Sequence, residues 1–263
     1  MRRLFPEPAE PDDTHLDDAH LDDAHLDDAA LADAYRPPPG RHLRVDFIAA
    51  LDGAISVEGR SGGLGSDGDR RVFRVLRALA DAVLVGAGTA AAEGYRPVTA
   101  DSAVGQIRAR LGRPAAVPVV VVSRRASLSP ADQLVTDAVA PTVLGTCAAA
   151  DAGRRAALTA AGVEVLVCGD DDVDLPAALA ALADLGLAQL VCEGGPTLFR
   201  AALAAGVVDE LDLTIAPLLV GGGRGLLPGA LPVPAHARLQ QVLEEDGVLF
   251  TRYRLRGPAG LLD

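Results

Sequence analysis

The stretch of this 263-residue chain best equipped for chemistry is Cys192-Glu193-Gly194-Gly195-Pro196-Thr197, which leads from an apolar run into a helical one. Paired glycines let a ligand approach the backbone closely, and a proline suits the first helical turn, whose N–H groups lack intrahelical partners. Such a junction offers amides and the positive end of a helix dipole to an anion, and a diphosphate is the natural guest. Glu193, just before it, can hold a hydroxyl or amine of a substrate. A tight strand-to-helix turn with a solvated acid has the same pattern.

Three more junctions carry unusual residues. Val85-Gly86-Ala87-Gly88-Thr89 repeats the order of strand, glycine and helix, without forming a full GxGxxG fingerprint. Two glycine-opened helices in one sheet can grip a phosphate bridge from both sides. Ser123-Arg124-Arg125 closes a run of four valines with a hydroxyl and two guanidiniums. That chemistry suits the 2′-phosphate that distinguishes NADPH from NADH, and a solvated basic turn is the alternative. Asp52 ends the first long apolar run, and the loop after it, with glycines at 59, 62, 63 and 65, can fold over a ligand as a lid. Arg70, Arg74 and Arg77 then share one face of an expected helix, open to a ligand or paired with neighbouring acids.

Metal chemistry has no footing here. There is no CxxC, HxE or HExxH pattern, and Cys147, Cys168 and Cys192 are widely spaced at the ends of apolar runs, as small buried hydrophobes are. The chain contains no lysine, so every fixed positive side chain is an arginine. A phosphate site must therefore use guanidiniums, hydroxyls or backbone amides.

The elements that must position these junctions are βα units. Apolar runs of four to eight residues alternate with alanine-rich helical stretches, the signature of a mostly parallel sheet whose ligands bind beyond the carboxyl ends of its strands. Strands are expected over 43–51, 82–86, 117–123, 142–145, 163–168 and 189–192, and helices over 67–80, 149–161, 175–185 and 196–205. Residues 211–220 and 242–255 are strand-like, the second segment split by Asp246-Gly247, a hairpin signal. The sheet is thus expected to be mixed, with antiparallel pairing at its C-terminal edge.

Composition bounds the rest. The net charge of −12 is concentrated in residues 1–35, which hold 11 acids and 2 arginines, so the remainder carries only −3. With 3% aromatic residues and no basic stripe, a nucleic-acid groove is excluded. No long apolar helix and no signal-peptide core appear, so a membrane location is not expected and the cytoplasm is. His-Leu-Asp-Asp-Ala repeats from His15, His20 and His25, turning about 140° per repeat on a helix, so its leucines share no face. Residues 1–40 are therefore expected to be a solvated, largely disordered acidic tail, and 41–263 the folded domain. A His/Asp metal-binding tract is the other reading of the repeat.

Taken together, Ile48-Ala49-Ala50-Leu51-Asp52-Gly53, the segment 77–89, Val191-Cys192-Glu193-Gly194-Gly195-Pro196-Thr197, and Val208-Asp209-Glu210-Leu211 with Ala216-Pro217 resemble the pyrimidine reductases of riboflavin biosynthesis. The resemblance runs from about Arg41 to Arg256. It implies a dihydrofolate-reductase-like α/β fold of three layers, helices on both faces of a mixed, mostly parallel sheet, and an antiparallel C-terminal hairpin. It also implies a homodimer, NADPH as cofactor, and reduction of the ribosylamino group of a 5-amino-6-(5-phosphoribosylamino)pyrimidine to ribitylamino. On this resemblance Thr89, Gly195, Pro196 and Thr197 fall on the cofactor, and Ser61, Arg77 and Glu193 on the substrate; the junctions themselves add Gly86, Gly88, Glu93, Ser123, Arg124 and Gly194 as cofactor candidates and Arg96 as a substrate candidate. Asp52 and Glu193 are the expected catalytic acids. One departure stands out: Glu93-Gly94-Tyr95-Arg96-Pro97 occupies the place of the family's Asp-Asp-Pro-x-Leu-Thr-x-Arg. The alternatives are a same-fold reductase of another pterin or pyrimidine, such as dihydrofolate, and a nucleotide-binding regulatory protein without turnover.

Overall fold

A computed structural model describes residues 1–6 and 26–256 of the chain. Seven parallel strands form most of one sheet: β8 (Glu210–Ala216), β2 (His42–Ala50), β7 (Gln189–Cys192), β3 (Ala82–Gly86), β4 (Val119–Val122), β5 (Val143–Thr146) and β6 (Glu164–Val167), in that spatial order. Beyond β8 the pairing turns antiparallel, through β10 (Val248–Arg256) and β9 (His236–Glu245) to β1 (Arg2–Phe5). The ten-stranded sheet is mixed as expected, with its hairpin turning at Asp246-Gly247.

Alternation along the strands creates the two faces. Val83, Val85, Val119, Val121, Leu144 and Val191 point to one side, Leu84, Val120, Val143, Leu190 and Cys192 to the other. The first face is covered by α1 (Asp28–Ala34), α2 (Asp67–Leu79), α3 (Ala87–Glu93), α4 (Ala103–Arg110), α5 (Gln133–Thr136) and α6 (Ala152–Ala160). The second is covered by α7 (Leu175–Asp184) and α8 (Pro196–Ala204). Ser66 caps α2 by accepting from the Asp69 N–H at 3.0 Å, and α2 buries Val72, Val75, Leu76 and Leu79 in the shared core. That packing sets Asp69, Phe73 and Arg77 over the sheet. Cys147, Cys168 and Cys192 are free thiols in buried positions, and burial pushes the Cys192 thiol up to about 12.

The expected detached tail is corrected at both of its described ends. Arg2–Phe5 adds a strand beside β9, and α1 puts Leu31 and Tyr35, one turn apart, into the core. The leucines of the repeat share no face, but one helix needs only Leu31 and Tyr35. Residues 7–25, which carry most of the repeat, lie outside the described residues. β9 begins at His236, before the expected 242, because its first residues are exposed and without the apolar alternation that would have marked them as strand. The short helices α4 and α5 were not foreseen, whereas α3 opens after Gly86 as the glycine junction led one to expect. Among the described residues no helix is long and apolar enough to cross a membrane.

Candidate active site

The carboxyl ends of β2, β7, β3 and β4 open onto a cleft of about 1370 Å³. Its first wall is built from the two glycine turns, which are joined: the Gly86 N–H donates to the Gly194 carbonyl at 2.7 Å. Gly194 has φ +81°, and a side chain there would place Cβ 2.8 Å from the Phe47 ring. At Gly195 an added Cβ would run into the Thr89 hydroxyl, so backbone and Thr89 meet closely where only glycine fits. Neither α3 nor α8 is capped by a side chain, and Pro196 opens α8 without an N–H. Gly86, Gly88, Thr89, Gly195, Pro196 and Thr197 all line the cleft, whereas Gly194 supports it through its carbonyl.

Ser123-Arg124-Arg125 forms the rim beyond β4. The Ser123 hydroxyl accepts from the Ser127 N–H at 3.0 Å and so closes its own turn, while Arg124 Nε donates to the Asp171 carbonyl at 2.8 Å. Arg125 makes no hydrogen bond or ion pair among the described residues and lines the same rim.

Next to the glycine turns, Arg77 and Glu193 form a two-pronged pair, Nε to Oε1 at 2.6 Å and Nη2 to Oε2 at 2.7 Å. The Tyr95 hydroxyl donates to Glu193 Oε2 at 2.5 Å, and the guanidinium carbon sits 4.2 Å from the Phe73 ring centroid and 5.3 Å from that of Tyr95. Burial alone would lower the Arg77 pKa, but the Glu193 carboxylate outweighs it and raises it; burial, then Glu193, raises that of Tyr95. Arg77 thus stays charged, and the Tyr95 phenol protonated. Glu193 and Arg77 reach the cleft as one rigid unit instead of two independent contacts. Arg96 also lines the cleft.

Two expected site residues are employed differently. Glu93, expected on the cofactor, accepts from the Ser61 N–H at 3.1 Å and the Ser61 hydroxyl at 3.2 Å, and so latches the glycine-rich loop across the cleft. Asp52, expected as a catalytic acid, does not line the cleft. Its carboxylate accepts from the N–H groups of Gly221 at 2.6 Å, Val220 at 3.0 Å and Ala54 at 3.3 Å, and these bonds, that of Gly221 foremost, lower its pKa. An acid held ionised by backbone amides is a clamp between loops.

Asp46, Asp69 and Tyr95 are cleft residues that sequence reasoning passed over. Asp46 had a signal: an acid between Val45 and Phe47 in an apolar strand is costly unless something uses it. Burial, then Asp69, Asp212 and Glu193, raises its pKa well above the usual carboxylate range; burial raises Asp69 as well.

A cleft with joined glycine turns, an uncapped α8 terminus and arginines on its rim fits a dinucleotide whose diphosphate lies against backbone. Residues 41–247 match the RibD C-terminal domain family. The chain is 33% identical over 217 residues to the 2,5-diamino-6-ribosylamino-4(3H)-pyrimidinone 5′-phosphate reductase of Methanothermobacter thermautotrophicus, covering 79% of this chain and 94% of that one. It is 31% identical to the riboflavin biosynthesis protein RibD of Bacillus amyloliquefaciens over 69% of this chain, but spans only 47% of that longer protein. A solved pyrimidine reductase-like protein of Corynebacterium diphtheriae superposes with a TM-score of 0.72 at 28% identity, covering 82% of this chain and 92% of that one. Fold, cleft and relatives together define an α/β oxidoreductase. The chain belongs to the RibD C-terminal domain family.

Proposed function

We propose that this chain uses NADPH to reduce the ribosylamino group of 5-amino-6-(5-phosphoribosylamino)pyrimidine to ribitylamino, a step of riboflavin biosynthesis. The observation that carries the reading is the joining of the Gly86 and Gly194-Gly195 turns in a cleft that also holds the Arg77–Glu193 pair. Thr89, Gly195, Pro196 and Thr197 would hold the diphosphate, and Arg124 with Arg125 the 2′-phosphate. When bound, the reduced nicotinamide supplies a hydride to C1′ of the opened, imine-like sugar. Arg77 and Glu193 orient the substrate, Arg96 adds a cation for its phosphate, and the loop latched by Ser61 and Glu93 covers it and excludes water. The chain would act in the cytoplasm as a homodimer on this small molecule.

The activity for which the relatives are named and the fit of the glycine turns to a dinucleotide support this reading. It is tested by following oxidation of NADPH and of NADH with the phosphoribosylaminopyrimidine and with dihydrofolate. Turnover of the pyrimidine with NADPH should exceed the other combinations by about tenfold or more, the scale of one charged hydrogen bond in the transition state. Equal use of dihydrofolate, or of NADH, overturns the corresponding part of the assignment.

A further inference from the structure

We propose that Asp46 is the acid that protonates the substrate nitrogen during reduction, an inference that rests on the pyrimidine-reductase reading. In the β2–β7 register Val45 pairs with Cys192, which sets Asp46 level with Glu193 and on the same face of the sheet. On the other side Asp46 pairs with Asp212 of β8. Three acids therefore stand abreast across neighbouring strands, a spacing of about 4.8 Å per step, and Asp69 approaches from α2 above them.

The outer two have cations. Glu193 is held by Arg77, and Asp212 has Arg44 Nε at 3.8 Å. Asp46, in the middle, makes no ion pair or hydrogen bond to a side chain among the described residues, and the attraction of Arg44, on its own strand, is weaker than the repulsion from the neighbouring acids. It faces Asp69 from α2, Asp212 from β8, Glu193 from the end of β7, and the buried Tyr35 hydroxyl after α1. A carboxyl flanked by acids and partly removed from water holds its proton to higher pH than an ordinary carboxyl. Because Asp46 lines the cleft beside Glu193, that proton is available to a bound molecule.

The reaction supplies a use for it. As C1′ takes the hydride, the π pair of its C=N bond moves to nitrogen, and an N–H bond forms as the O–H bond of Asp46 breaks. The reduced substrate leaves as a secondary amine, the cofactor leaves oxidised, and the Asp46 carboxylate regains a proton from water. A neutral acid is required at this point: an ionised one has no proton to give.

The test uses the full chain and Asp46→Asn. In the parent protein kcat/KM should fall as pH rises through the raised Asp46 pKa. In Asp46→Asn that limb should vanish and kcat fall about a hundredfold, the usual scale of acid catalysis, with NADPH affinity unchanged. A readout independent of turnover is melting temperature. The unfolded chain ionises Asp46 near its ordinary pKa while the folded chain keeps the proton, so the parent protein loses stability relative to Asp46→Asn as pH rises from about 4. The gap between the two melting curves should therefore widen with pH and level off above the folded pKa. A constant gap shows that Asp46 is not held neutral and overturns the inference. So does a pH limb that survives in Asp46→Asn but disappears in Asp69→Asn, which would give the proton to Asp69. Turnover by Asp46→Asn with the parent's rate and profile overturns the inference alone, whereas a parent protein that does not reduce the pyrimidine overturns the pyrimidine reading together with it.

Discussion

Both oxygens of Glu193 are engaged inside the protein, one by Arg77 and the other by Arg77 and Tyr95, and its side chain is only 3% exposed. It acts by fixing Arg77, which makes it a positioning residue. Glu193→Gln keeps the size but leaves a buried guanidinium short of its counter-ion, a change that typically costs about 3 to 5 kcal/mol when a buried pair is broken. Melting temperature should drop, and kcat/KM should fall about tenfold or more, while NADPH affinity moves little. Tyr95→Phe removes one hydrogen bond without touching the charge pair, and should lower kcat with a smaller loss of stability. Collapse of NADPH binding in Glu193→Gln would place the residue in the cofactor wall instead. At this scale the glycine turns were readable, because close backbone approach requires glycine wherever it occurs. The partner of Glu193 was readable only in part. Arg77 sits on a helix face that also reads as solvated, and no local pattern couples Tyr95 to a residue 98 positions away.

Helix α1 shows how an element can depend on few residues. Asp27 caps it by accepting from the Ala30 N–H at 2.8 Å, Asp28 pairs with Arg71 at 2.7 Å, and Leu31 and Tyr35 are buried against α2 and the sheet. Its C-terminal carbonyls satisfy cations of the body: Arg44 donates to the Tyr35 carbonyl and Arg252 to that of Ala34, each at 2.8 Å. Removing residues 1–36 would uncover that core and take these acceptors away, leaving guanidiniums beside Glu210 and Asp212 without part of their shell. Thermal unfolding should therefore shift down strongly on truncation. Leu31→Ala should cost about 2 to 5 kcal/mol, the range for a buried leucine truncated in a packed core. An unchanged melting temperature in both would mean that α1 does not pack on the body. The parallel strands were legible because runs such as 119–122 are buried on both faces and so read as unbroken apolar segments. The N-terminal elements were not, since a strongly acidic sequence anchored by Leu31, Tyr35 and Arg2–Phe5 looks, residue by residue, like a solvated tail.

At the scale of the whole molecule, the resemblance implies a pair of chains, and the surface offers a place for the contact. Leu51, Leu218 and Leu219 are 62%, 43% and 76% exposed, and lie in two loops tied together by the Leu51 N–H bond to the Leu218 carbonyl at 2.8 Å. Singly exposed leucines are ordinary, but three brought together beside one backbone bond form a patch that a second copy can cover. Asp52 has its role here: by accepting from Val220 and Gly221 it fixes the loop that carries Leu218 and Leu219 against the end of β2. The same loop meets the lid stretch where Ile55 donates to the Arg224 carbonyl at 3.0 Å, and both Ile55 and Arg224 line the cleft. A partner covering the leucines would therefore also steady one wall of the site. Sedimentation equilibrium should give twice the chain mass of 26.9 kDa. Leu219→Glu, which places a charge on the patch without touching the core, should shift the equilibrium toward single chains and raise the substrate KM, while NADPH affinity stays near that of the parent. A parent protein that sediments as a single chain at micromolar concentration rejects the dimer; a dimer that survives Leu219→Glu places the contact on another face.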